Sequence, residues 1–466
     1  MQVIKTDKGY VSGTIIGEPG KEVSIFRGIP YAAPPVGPLR WKPPQPAPSW
    51  SGIRECTQYA GISPQSDANL TSPQLTRTED CLYLNVITPA KKAGEKLPVM
   101  VWFHGGGYFA GCGNDKMWNS YRLPQQGVVI VSTTHRLGPI GLLAHPLLSK
   151  ESPQGVSGNY LFLDLIASLQ WVQNNIAAFG GDPKNVTIFG ESGGGAKVCM
   201  MMASPLAKGL FHRAICESGT AMVMSPSKPL QEMEKAGAVI FDKLGVKTLQ
   251  EARQVPWEKI IKASESIGVP GGPGGMPMPP WDAAVDGWLL PQSPSDLFGS
   301  GAFNAVPLIT LSCLGELTGP GMLVMPHIIP AYVKMLDAVN RAGASAYAAI
   351  FDHIPNNWRK AGLVSFHAIE LPYLFGDYDN YTAWWGAVVM GLKPLGDKMP
   401  DAILDADDKH VAEFMMQLWT SFAKNGKPKA KGLPDWPIYT TANDKYLYLT
   451  ARCEVREGFS KIAQDK

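Results

Sequence analysis

With 466 residues and 45% apolar side chains, the chain can bury a sizeable core as one elaborated α/β domain or as two or three smaller ones. Its 42 Lys and Arg almost balance 40 Asp and Glu, and a formal charge of +2 provides no field for recruiting nucleic acid or an anionic membrane. No apolar run reaches the roughly 18 residues of a membrane span, and seven scattered cysteines form neither a disulfide framework nor a C-x-x-C metal pair.

The N-terminal residues Met1 to Thr6 lack a charged n-region followed by an apolar stretch. That points to the cytoplasm, or to a secreted protein whose leader has been removed. Up to about residue 50 the chain is rich in Pro and Gly and reads as short strands and turns laid over a core. From residue 82 the texture changes. Short apolar runs at 82–87, 97–103, 128–132, 186–189, 214–216 and 306–311 alternate with segments long enough for helices. This pattern predicts βαβ units and a mainly parallel sheet buried on both faces. Between two of the runs, Leu161, Leu165, Ile166, Leu169, Trp171 and Val172 form an apolar stripe near helical spacing, closed by the helix stop Gly180-Gly181-Asp182-Pro183. Residues 266–280 read as a loop, either a lid or a surface excursion. No repeat or linker divides the chain, so residues 1–466 are read as one domain.

Gly190-Glu191-Ser192-Gly193-Gly194 follows the β-branched run Asn185 to Phe189 and leads into a segment that can form a helix. A serine at such a strand-to-helix turn, with glycine two positions away on each side, has the form of a nucleophile elbow. In a chain with 49 glycines the pattern alone is weak. His104-Gly105-Gly106-Gly107, directly after the strand-like 99–103, is far more specific. Acyl transfer passes through an oxyanion that needs convergent N–H donors, and consecutive glycines let a loop present them. Gly106 and Gly107 are two predicted donors and Gly193 is the third. Ser192 also needs a base, and the base an orienting carboxylate. Of eight histidines, His104 belongs to the glycine loop and His135, His145, His212, His327, His353 and His410 lie in undistinguished stretches, so spacing favours His367 without singling it out.

Over nearly its whole length the chain resembles the type-B carboxylesterase and cholinesterase family of α/β-hydrolases. The likeness rests on Phe26-Arg27-Gly28-Ile29-Pro30-Tyr31-Ala32, Glu79-Asp80-Cys81-Leu82-Tyr83-Leu84-Asn85-Val86, the glycine loop, Phe179 to Pro183 with the elbow, and Trp419 to Gly426. The resemblance implies an α/β-hydrolase fold, a central mostly parallel sheet with helices on both faces and long substrate-shaping insertions. It also implies a serine esterase with no metal or organic cofactor, a small-molecule ester as its partner, and a triad ordered Ser192, Glu316, His367. Glu316 follows the strand beginning Val306-Pro307, and His367 lies in Phe366-His367-Ala368-Ile369-Glu370-Leu371-Pro372-Tyr373. Further implied are Ser218 as a hydroxyl near the acid, and ion pairs of Arg40 with Glu79 and Arg136 with Asp164. Amide or thioester hydrolysis by the same acyl-enzyme, and a non-catalytic binding protein of the same fold, are the alternative readings. The oligomeric state is open.

The chain departs from the family pattern in four places. Gly193 stands where a residue with a Cβ, commonly alanine, is usual, and glycine's backbone freedom predicts a less preorganised donor that Gly193→Ala would improve. Ser63 takes the place of Cys81's usual disulfide partner, leaving Cys56 as the alternative. The interval from Glu316 to His367 is 51 residues (367 minus 316), which is short and predicts a more open pocket. No tryptophan lies between Cys56 and Cys81, so choline esters are not the expected substrates. Beside the glycine loop, Tyr108 and Phe109 are read as core packing or as pocket lining.

Overall fold

The computed structural model describes residues 3–66, 75–224, 227–268, 280–318, 325, 327–377 and 401–462. Most of residues 266–280 therefore lies outside the described residues.

An eleven-stranded sheet organises the chain. In chain order its strands are β1 (Thr14–Ile16), β2 (Val23–Pro30), β3 (Tyr83–Thr88), β4 (Leu97–Phe103), β5 (Val129–Thr133), β6 (Gly181–Glu191), β7 (Arg213–Glu217), β8 (Leu308–Cys313), β9 (Ala346–Phe351), β10 (Lys445–Leu449) and β11 (Glu454–Glu457). In space they run β11-β10-β9-β8-β7-β6-β4-β5-β3-β2-β1, so one exchange, of β4 and β5, interrupts sequential order. From β5 across to β10 every pairing is parallel, and antiparallel strands close both edges. The exchange makes β4 a switch point, with the chain passing to β5 on one side and returning to β6 on the other. In open α/β sheets the crevice beyond the carboxyl ends of the strands at such a point receives ligands.

Parallel strands joined by helical crossovers are covered on both faces, which is why β4 is apolar at every position. Val99, Val101 and Phe103 enter one core and Met100 and Trp102 the other, in the period-two alternation of a strand. Removing Phe103 from water contributes about 1.5–3 kcal/mol. Helix α1 (Tyr160–Asn175) carries the predicted stripe into the first core. A short 3-10 turn continues it to Phe179, and Gly180 ends that turn at φ +83°. Strand β6 begins at Gly181, several residues earlier than its β-branched run predicts, because Gly181 pairs with Leu97.

Helix α2 (Gly193–Ala203) packs its apolar side into the same core as α1. Helix α3 (Ala406–Asn425) covers the opposite face with Phe414, Met415, Leu418, Trp419 and Phe422. Its N-terminus is closed by a capping box of Asp405 and Asp408, which satisfies backbone donors that the first helical turn cannot. Among the described residues no helix is long and apolar enough to cross a membrane.

Both expected ion pairs form and are buried. Arg40 Nε donates to Glu79 Oε1 at 2.6 Å, and Arg136 meets Asp164 in a fork with bonds of 2.7 and 2.8 Å. Cys56 and Cys81 are both free buried thiols, so the alternative pairing is not made. In place of the missing cysteine, Ser63 Oγ accepts the Leu137 N–H at 3.0 Å and holds the segment after Arg136.

Candidate active site

Strand β6 stops at Glu191 and α2 starts at Gly193, leaving Ser192 alone at the corner with φ +58° and ψ −124°. A side-chain-bearing residue held there stores about 1–3 kcal/mol of strain. The corner is fixed on its other side by the Ser192 N–H, which donates to Glu217 O at 2.8 Å at the end of β7.

The glycine loop leaves β4 next door. Gly106 and Gly107 adopt φ of +83° and +61°, a region that L side chains rarely enter. Among the described residues, the N–H groups of Gly106, Gly107 and Gly193 donate to no acceptor, as an oxyanion hole requires of its donors. A Cβ on Gly105 would lie 3.4 Å from Ser192 Cβ, so the loop rests directly against the serine. The aromatic pair beside the loop divides. Tyr108 packs edge-on against Phe162 in the core, whereas the half-buried Phe109 ring lies over Gly107.

The expectation for Gly193 is overturned. A Cβ built on it would stand 2.2 Å from Gly107 O and 2.5 Å from Gly107 N and Cα. Glycine here lets helix and loop close against each other backbone to backbone, and the methyl group of alanine enters only if one of them shifts.

Glu316 lies three residues beyond β8 and His367 sixteen beyond β9, with the helices Ile328–Arg341 and Asn356–Lys360 filling part of the short interval. The two side chains meet: His367 Nδ1 lies 2.6 Å from Glu316 Oε1. A carboxylate accepts, so Nδ1 carries the proton and Nε2 is the basic nitrogen. Glu316 Oε2 is held by the Cys313 N–H at 3.1 Å. His367 Nε2 lies 3.1 Å from Glu191 Oε1, an ion-pair distance without hydrogen-bond geometry. Among the described residues no bond joins Nε2 to Ser192 Oγ. Such contacts are often long until substrate binds. The expected Ser218 hydroxyl is buried but finds no hydrogen-bond partner among the described residues, and the bond to Glu316 Oε2 comes from the Cys313 amide.

A cluster of carboxyl groups that the sequence reading passed over lies beneath the imidazole. Burial, reinforced by neighbouring carboxylates, raises Glu191 and Glu217 well above the ordinary carboxylate range. Glu370 is raised to about 7, by burial first and then by the charge of Glu316. Cys313 Sγ donates to Glu370 Oε2 at 3.2 Å, and Trp419 Nε1 to Glu217 Oε1 at 3.0 Å. For His367, burial favours the neutral ring, but Glu191, Glu316 and Glu370 outweigh it and raise the imidazole from 6.5 to about 9. Glu191 sits inside the elbow motif and Glu370 three residues after the histidine, in the turn that leads into the helix Leu371–Phe375. Adjacency to Ser192 and His367 was the available signal.

A serine on a strained strand-to-helix corner, a histidine paired with a buried carboxylate and a loop of free N–H donors define a serine hydrolase of the α/β class. The sequence profile of the carboxylesterase family matches residues 1–326 and 322–464, and the chain belongs to that family. It is 32% identical to the para-nitrobenzyl esterase of Bacillus subtilis (strain 168), over 97% of this chain and 96% of that one. To the fumonisin B1 esterase of Sphingopyxis macrogoltabida it is 40% identical over 64% of this chain and 54% of that one. A solved para-nitrobenzyl esterase structure superposes with a TM-score of 0.80 at 28% identity, covering 98% of this chain and 97% of that one. The fold is the α/β-hydrolase fold, and the protein is a carboxylic ester hydrolase.

Proposed function

We propose that the protein hydrolyses small to medium, uncharged carboxylic esters through an acyl-enzyme on Ser192, with His367 as base and Glu316 as the residue that orients it. The supporting observation is the 2.6 Å bond from His367 Nδ1 to Glu316, which leaves Nε2 as the basic nitrogen on the side of the elbow. Ser192 Oγ bonds to the ester carbonyl carbon while its proton passes to Nε2. The carbonyl oxygen takes the negative charge and accepts from Gly106, Gly107 and Gly193. Collapse breaks the bond to the alkoxy oxygen, which leaves as the alcohol with the proton from Nε2. Water then repeats the sequence, giving its proton to Nε2 and releasing the acid and Ser192. The near-neutral chain and the absence of tryptophan between Cys56 and Cys81 favour uncharged esters over choline esters.

The test is labelling with phenylmethanesulfonyl fluoride, read by peptide mass, together with Ser192→Ala assayed on a short p-nitrophenyl ester. Label on Ser192 and loss of turnover are expected. A Ser192→Ala protein that retains esterase activity would overturn the reading.

A further inference from the structure

Helix α2 contains one charged residue, Lys197, in a run of glycine, alanine, valine, cysteine and methionine. Its side chain is fully buried, and its Nζ donates to His104 O at 2.9 Å. An ammonium group taken out of water costs several kcal/mol unless it is well paired, and here one carbonyl is its hydrogen-bond acceptor among the described residues. Burial accordingly lowers the amine from 10.5 to about 7. The titratable groups beside it are His104 and His135, whose rings stack at 4.5 Å and which burial, with the lysine's own charge, keeps well below 6.5. A methionine, like the three that follow in the same helix, would fill the space without that cost.

The position of the bond accounts for the lysine. Lys197 lies four residues after Gly193, one turn along α2 and on the same face. The carbonyl it grips belongs to His104, the residue from which Gly105, Gly106 and Gly107 spring. Among the described residues it is the only hydrogen bond between residues 104–107 and α2. One turn away, Gly193 and Gly107 make their side-chain-free contact. The bond thus fastens the segment carrying two oxyanion donors to the helix carrying the third.

We propose that Lys197 is a positioning residue of the oxyanion hole: by holding His104 O to α2 it keeps the N–H groups of Gly106 and Gly107 convergent with that of Gly193. Among the described residues no hydrogen bond joins Lys197 to Ser192, and the amine acts through the His104 carbonyl. Its absence is felt where charge develops on the carbonyl oxygen, in the transition state more than in the bound ester.

The inference rests on the Ser192 mechanism proposed above, and the two can fail separately. Retained activity in Ser192→Ala sinks the mechanism, whereas a fully active Lys197 variant sinks only the inference. Lys197→Met should lower kcat on a p-nitrophenyl ester by about tenfold to a hundredfold with KM changed less than about twofold. It should weaken inhibition by a trifluoromethyl ketone, whose adduct places an oxyanion in the hole, by a similar factor. Lys197→Gln, which keeps an N–H donor on a shorter side chain, should recover part of both. If Lys197→Met does not fold, Lys197→Gln alone should show the kcat loss and the weakened inhibitor. A folded variant with unchanged kcat and inhibitor affinity would overturn the proposal. So would failure of both variants to fold, which would assign the amine to stability rather than alignment.

Discussion

The Cα of Gly193 faces Gly107 so closely that any Cβ on it would stand 2.2 Å from the Gly107 carbonyl oxygen. The helix that follows the nucleophile and the loop that follows β4 therefore meet without a side chain between them. Gly193→Ala must push one of them away, and both carry oxyanion donors. We expect kcat on a good ester to fall about tenfold or more, with smaller loss of KM. Steady-state kinetics on the purified variant check this, and an equal or higher kcat would show that the loop yields without cost.

The His367–Glu316 bond is buried and short. Glu316→Gln keeps the shape, removes the charge, and offers an amide in place of the acceptor that fixes the Nδ1–H tautomer. A loss in kcat of about 10³- to 10⁴-fold is expected, with an unchanged circular dichroism spectrum. A loss below tenfold would mean that another carboxyl of the cluster orients the ring.

The pH profile follows from the carboxylates around the imidazole. The proposed mechanism needs neutral His367, and the neighbouring carboxylates favour its charged form, raising it to about 9. The acid limb of kcat/KM should therefore rise through a pKa above 6.5 and towards 9, rather than level off below neutrality. Glu191→Gln removes the largest of the raising influences and should move that limb down by about 1 unit. An unmoved limb would show that Glu191 is already protonated at working pH and exerts no pull on the ring.

Arg136 and Asp164 are fully buried and bonded to each other in a fork. Asp164→Asn leaves the guanidinium without its counter-charge, and a loss of about 3–5 kcal/mol is expected in denaturant unfolding. A loss under 1 kcal/mol would mean that the Lys42 carbonyl, which also accepts from Arg136, compensates it.

The parts of the site legible in the sequence were those whose chemistry dictates backbone shape. The strained corner at Ser192 and the left-handed turns at Gly106 and Gly107 demand glycine at or beside them, and glycine is visible in a string of letters. The alternation of apolar runs likewise placed β3 to β8 within a few residues, because burial on both faces leaves strands no choice of composition. Glu316 and His367 came from family resemblance, since the sheet that brings them together is not local in sequence. Lys197, Glu217 and Glu370 were missed because a charged letter carries no mark of its burial. Gly193 was seen but misread, as flexibility, because the backbone that crowds it lies on another strand's loop.

The sheet order has a consequence for how the enzyme comes to life. In the proposed site the nucleophile hangs on β6 with one donor just after it, the other two donors follow β4, the acid follows β8, and the base lies on the chain beyond β9. All four strands are parallel neighbours or near neighbours, and such pairings close long loops before any contact rewards them. In refolding, secondary structure and compaction should therefore return before turnover does. The appearance of ester hydrolysis would time the docking of the final strands, making the enzyme its own clock for the last step of assembly.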